Sequence, residues 1–149
     1  MKAYKLTFEM VPEECWGYSL YHKLTKEDWD LVRKDAYRRA GYRCRICGAK
    51  GRLEAHEQWE YDDQNALQKL TDVLALCSAC HAVKHISRSQ LVGKGDEAMR
   101  HFMQVNGCSQ IEFHEELGKA NELYRQRNKI EGWVTDVTWL QDYLGVVLR

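Results

Sequence analysis

Two pairs of cysteines at the same close spacing, Cys44-Arg45-Ile46-Cys47 and Cys77-Ser78-Ala79-Cys80, are the residues of this chain most suited to chemistry. Such pairs form tight knuckles, and two knuckles supply the four thiolates of a tetrahedral zinc site. Histidines stand beside them. His81 follows Cys80 directly, His85 comes one helical turn later, and His56 lies between the knuckles in Leu53-Glu54-Ala55-His56-Glu57. If zinc takes the four sulfurs, the three imidazoles are left over as donors for a second divalent ion. A single ion with mixed sulfur and nitrogen ligands is the simpler alternative. His22, His101 and His114 have no partner in the sequence and read as surface or satisfied core residues.

These donors need elements to carry them. Arg52 to Tyr61 alternates as a strand does, with Leu53, Ala55, Glu57, Trp59 and Tyr61 on one side and Glu54, His56, Gln58 and Glu60 on the other. Val73 to Leu76 leads into the second knuckle, and a helix beginning near Ser78 would let both His81 and His85 reach one point. Around this metal-centred stretch, residues 42–88, the sequence predicts support. Tyr4, Leu6, Phe8 and Met10 alternate with polar residues as in a half-buried strand, which Pro12 ends. Thr25, Glu27 and Asp28 open a helix over 26–40 that Gly41 closes. Gly95 to Val105 reads as a helix, and Ser109-Gln110-Ile111-Glu112 is a capping box for another that reaches Gln126. Trp133 to Leu140 reads as a strand from its alternation, against a short terminal helix capped by Asp136. The expected fold class is α+β, with a single domain over 1–149.

The order of C-x-x-C, Leu-Glu-Ala-His-Glu and Leu-Cys-x-x-Cys-His-x-x-x-His resembles the HNH nuclease family between Cys44 and His85. The flanks, from Met10-Val11-Pro12 to Cys15-Trp16 and around Trp133 and Trp139, look like those of bacterial and phage HNH endonucleases. The resemblance implies a ββα-metal core in which a hairpin and a helix clasp one divalent ion (Mg²⁺, Mn²⁺, Ni²⁺ or Zn²⁺). A structural zinc on Cys44, Cys47, Cys77 and Cys80 would brace it. His56, His81 and His85 fall on the family's metal-ligand positions, Asp72 on that of its middle asparagine, and Glu57 where most relatives carry the general-base histidine. The implied activity is hydrolysis of nucleic-acid phosphodiesters, with double-stranded DNA as substrate. The implied setting is the cytoplasm of a bacterial or phage-infected cell.

Glu57 is the departure from the family pattern. The base must deprotonate water, and histidine, at about 6.5, suits neutral pH better than glutamate, at about 4.3. Burial beside Leu53, Ala55 and Trp59 would raise the carboxyl toward that range. Either Glu57 is the base and His56 a ligand, or Glu57 binds the ion and His56 is the base. A chain that has lost its base would instead be a zinc module binding nucleic acid or protein, as an adaptor or inhibitor.

Charge gives local rather than global support for nucleic acid. The 22 Lys and Arg balance the 22 Asp and Glu, so no overall field draws in a polyanion. Between Arg33 and Arg52, however, Asp35 is the one acid among the basic residues, and Arg38, Arg39, Arg43 and Arg45 are candidate phosphate contacts. Six cysteines could mean disulfides, but 44% hydrophobic residues and the tight pairs favour a reduced, intracellular chain with Cys15 and Cys108 as packed thiols. No apolar run approaches the roughly 20 residues of a membrane span, and the opening stretch lacks the pattern of a signal peptide. Trp59 and Tyr61 are expected to pack behind the hairpin rather than stack on bases.

Overall fold

A long hairpin forms the middle layer of the structure, a computed structural model that describes residues 3–16 and 19–145. Its strands, β1 (Leu53–Asp62) and β2 (Leu67–Cys77), pair antiparallel from Leu53↔Cys77 to Asp62↔Leu67. Asp62 builds the turn, its Oδ1 accepting the N–H groups of Gln64 and Asn65 at 3.1 Å. Gln58 opposes Asp72 but Trp59 opposes Leu70, so Thr71 is an extra residue that makes a bulge in β2. This bulge decides how the core is filled. Leu70 and Val73 both pack into one core cluster, although strict alternation would send residues three apart to opposite faces.

Helices cover both faces of the hairpin. On one side Leu20, Val32, Ala36 and Leu140 close on Leu70 and Val73, carried by α1 (Leu20–Lys23), α2 (Lys26–Arg39) and α7 (Thr138–Leu144). The start of α2 is as the sequence predicts, with Thr25 Oγ1 accepting the Asp28 N–H. On the other side lie α3 (Ser78–Lys84), α4 (Ile86–Leu91), α5 (Gly95–Asn106) and α6 (Gln110–Asn128). There Leu76, Val83, Ile86 and Ala98 surround Phe102 and Phe113. Phe8 stacks on Phe102 with centroids 4.8 Å apart, and Phe113 meets Phe102 edge-on at 5.3 Å. Both halves of the capping box at Ser109 and Glu112 form, and α6 runs past Gln126 to Asn128. The short α4 was not expected from the sequence. The result is an α+β fold with a three-stranded sheet of order β1-β2-β3. Among the described residues, no helix is long and apolar enough to cross a membrane.

Two predicted strands change. Tyr4 to Met10 is not a strand but a strap, whose alternation survives because Tyr4, Leu6, Phe8 and Met10 all pack on the second core. Its hydrogen bonds go elsewhere than to a neighbouring strand. Asn106 Oδ1 accepts the N–H groups of Lys5 and Leu6, its Nδ2 donates to the Leu6 carbonyl, and the Glu9 N–H donates to the Lys84 carbonyl at 3.1 Å. Trp133 to Leu140 divides into β3 (Val134–Asp136), parallel to the start of β2, and the first residues of α7. The division falls where Asp136 Oδ1 accepts the Thr138 N–H at 2.8 Å. β3 is fastened by Thr135 Oγ1, which donates to the buried Gln68 Oε1 at 2.9 Å.

The strap should therefore depend on one side chain. Asn106→Ala removes three hydrogen bonds to Lys5 and Leu6, and a part-buried backbone group left unpaired costs about 1–3 kcal/mol. A urea melt of the full chain should show a midpoint lowered accordingly. An unchanged midpoint would mean that the apolar contacts of Leu6 and Phe8 hold the strap alone.

Candidate metal centre

The first knuckle is a loop folded on itself and clipped to the sheet. The Gly48 N–H donates to the Cys44 carbonyl, the Cys44 N–H to the Ala49 carbonyl, and the Arg45 N–H to Ala75 of β2. Gly48 sits at φ +78°, a left-handed conformation that suits glycine. The second knuckle is a junction, because Cys77 both ends β2 and caps α3, its Sγ accepting the Cys80 N–H at 3.4 Å. The four sulfurs of Cys44, Cys47, Cys77 and Cys80 lie within 4.8 Å of one another, with Cys47 and Cys77 3.6 Å apart. Zinc–sulfur bonds of about 2.3 Å in a tetrahedron separate sulfurs by about 3.8 Å. The cluster could thus bind a metal such as zinc. Burial pushes the Cys44 thiol up, but the N–H groups of Cys47, Cys77 and Ile46 overcome it and bring the thiol down to about 7. Cys77 and Cys80 are raised by burial first, and by the charge of neighbouring thiolates. A cation would relieve both effects.

His101, read as a surface or satisfied core residue, is satisfied at this centre. Its Nε2 lies 3.1 Å from Cys80 Sγ. The signal was available in α5, where Ala98 and Phe102 face the core and His101 lies between them on the same side.

The histidines come together from two elements. His56 is 4% exposed on β1, His81 sits mid-helix in α3, and His85 is the residue at which α3 ends and α4 begins. Donor nitrogens of all three lie within 4.8 Å of one another, and the rings meet edge-on with centroids 4.8–5.3 Å apart. Among the described residues this group is separate from the cysteines. The structure thus brings together two separate groups that could each hold a metal ion, rather than one mixed group. Burial lowers the pKa of His81. His85 opens to solvent at one edge, yet the protein packed around its ring, and then His81 and His56, bring it down to about 4. Both rings are therefore neutral at neutral pH, the form that binds metal.

Two carboxylates hold the rings in place. Glu54 Oε1 accepts from His81 Nδ1 at 2.7 Å, while Ser78 Oγ donates to its Oε2. Glu9, on the strap, places Oε2 on His56 Nε2 and accepts the Trp59 N–H on Oε1 at 3.2 Å. A carboxylate on the far nitrogen of a ligating histidine is the usual support of a metal site. Sequence reasoning missed Glu9 entirely.

The other candidate residues divide. Glu57 lies on the strand face opposite His56, and its Oε1 accepts the Leu20 N–H at 2.8 Å. Burial raises its carboxyl. Asp72 is not brought to the histidines; it accepts from Arg39 at 3.2 Å and from its neighbour's Val73 N–H at 2.8 Å. Arg39 is held between Asp35 and Asp72, which makes it a brace between α2 and β2 rather than a surface contact. Arg38 pairs with Asp35 while 65% exposed, Arg43 donates to the Gly48 carbonyl, and Arg45 is exposed. Cys15 and Cys108 are free thiols, as expected. A cleft of about 1020 Å³ opens beside the histidines; Glu9, Glu57, Trp29 and Trp59 line it. Trp59 also packs on the core, as the sequence predicts. No protein-family model, curated protein or solved structure matches the chain.

Two predictions follow the two groups. Purified protein should carry a thiolate-bound metal ion by elemental analysis, which Cys77→Ser loses together with thermal stability. His101→Ala should keep the ion but give it up faster to a chelator. For the histidines, Glu9→Gln and Glu54→Gln should each weaken binding of an added divalent ion about 10–100-fold by calorimetric titration. If neither change is felt, the carboxylates do not support a metal.

Proposed function

We propose that the chain is a metal-dependent nuclease of the HNH type, hydrolysing phosphodiester bonds of nucleic acid, with DNA as the favoured substrate. The observation that carries this reading is the convergence of His56, His81 and His85 on the rim of a cleft, apart from the four cysteines. In this reading Cys44, Cys47, Cys77 and Cys80 hold a structural zinc, which leaves the histidines for chemistry. A divalent ion on the histidines would polarise the phosphodiester and steady the charge that develops on its oxygens.

The chain's own residues supply the rest. Glu9 and Glu54 fix the rings of His56 and His81, so the ligands need no reorganisation as the reaction proceeds. Glu57 stands outside the histidine group yet lines the same cleft, which favours it as base and His56 as ligand. Its burial raises the carboxyl toward neutral pH, where a base takes a proton from water most effectively. Arg38, Arg43 and Arg45 remain at the surface for phosphate contacts.

A second reading, a binding module without chemistry, draws on the Leu20 N–H that already occupies Glu57 Oε1. Plasmid nicking separates the two. The enzyme reading expects nicking only with added Mg²⁺, Mn²⁺ or Ni²⁺, lost in His56→Ala and His81→Ala while thermal stability is kept. Glu57→Gln retains an acceptor for Leu20 and should slow cleavage about 10²–10⁴-fold without changing metal content. If no metal supports cleavage of single- or double-stranded DNA or RNA, the binding module is the correct reading.

A further inference from the structure

The wall of the cleft is unlike the surface that a duplex backbone requires. Among the described residues that line it, Arg88 is the one lysine or arginine, against the carboxylates of Glu9 and Glu57. Phosphates are held by clustered cations, so this lining is a poor match for a row of them. Aromatic rings stand among apolar residues instead: Trp16, Trp29, Trp59 and Tyr124 all line the cleft, with the histidine group at its side. Two of the apolar lining residues are unusually exposed, Trp16 at 62% and Leu91 at 86%. Trp16 is nevertheless held, because its indole N–H donates to the Val11 carbonyl at 2.7 Å while the residue lines the cleft. Every base has a π-face, and aromatic platforms are how proteins hold unpaired bases.

From this lining we infer that the cleft receives an unstacked nucleobase, so that the site acts on single-stranded or splayed nucleic acid rather than on continuous duplex. The inference rests on the nuclease reading for the class of ligand and narrows it. Trp16 stacks on the base from the rim, Arg88 meets the adjoining phosphate, and the neighbouring phosphodiester then lies at the histidines. A base inside a duplex could not enter without leaving its pair, and unpaired strands present it without that cost.

Binding separates this proposal from the nuclease reading. The full chain, carrying its thiolate-bound metal and no second ion, is titrated with a mixed-sequence single-stranded oligodeoxynucleotide, the matching duplex, and the same strand with abasic sites. Fluorescence anisotropy should show the single strand bound at least tenfold more tightly than either competitor, with quenching of tryptophan emission. Trp16→Ala should cost about tenfold and Trp16→Phe restore most of it; the exposure of Trp16 keeps both variants clear of the core. Equal or tighter binding of duplex, or of the abasic strand, overturns the proposal. If duplex is cut efficiently and single strands are neither preferred nor base-dependent, the nuclease reading stands and this inference falls. If base-dependent binding is found and no metal supports cleavage, the cleft assignment stands and the nuclease reading falls.

Discussion

At Cys77 a strand becomes a helix, and one sulfur serves both the turn and the cluster. Its Sγ accepts the Cys80 N–H in the first turn of the helix, so the direction of α3 is set where the four sulfurs meet. Because His81 is one turn into that helix, a shift at Cys77 moves the histidine against His56 on the neighbouring strand. The sulfur cluster is thus the footing of the histidine group without being part of it. The first knuckle contributes by clipping Arg45 to Ala75, two residues before the same junction. Small proteins often use a metal where the core is thin, and here the cluster is walled by Leu6, Leu76 and Val83.

The histidine group depends on a different balance. Imidazoles in close contact would repel one another if charged, and burial keeps His81 and His85 neutral before any ion arrives. Glu9 and Glu54 then fix which nitrogen carries each proton. With His81 and His85 neutral, the carboxylates of Glu9 and Glu54 give the site a negative balance, the complement of a divalent cation. Glu9 comes from the strap, so the N-terminal segment is part of the site's framework and not only a cover for the phenylalanine core.

What could be read from the sequence was what is local. The knuckles are defined within a few residues, and His81 and His85 follow from the helix period. His56 follows from the alternation of β1. Glu9 was hidden because its partner is 47 residues away and alternation placed it on the solvent side of an expected strand. The strap itself was misread because the period of two reports burial, not the identity of the hydrogen-bond partner, and Asn106 is 100 residues distant. The bulge at Thr71 leaves no mark on the pattern of β1. By contrast, the pairing of Arg38 and Arg39 with Asp35 was readable from helical spacing and reduces the basic run to fewer accessible cations.

β1 is an edge of the sheet, with β2 on one side and no further strand on the other among the described residues. Such an edge offers unpaired N–H and C=O groups to any other extended chain, and a strand containing Leu53, Ala55, Trp59 and Tyr61 is a template for aggregation. Glu54, Glu57 and Glu60 place acids along that strand, and the Glu9 carboxylate occupies the Trp59 N–H. The carboxylates that organise the site therefore also keep its strand from recruiting another copy. Neutralising them would weaken the support of the rings and trade away solubility at the same positions.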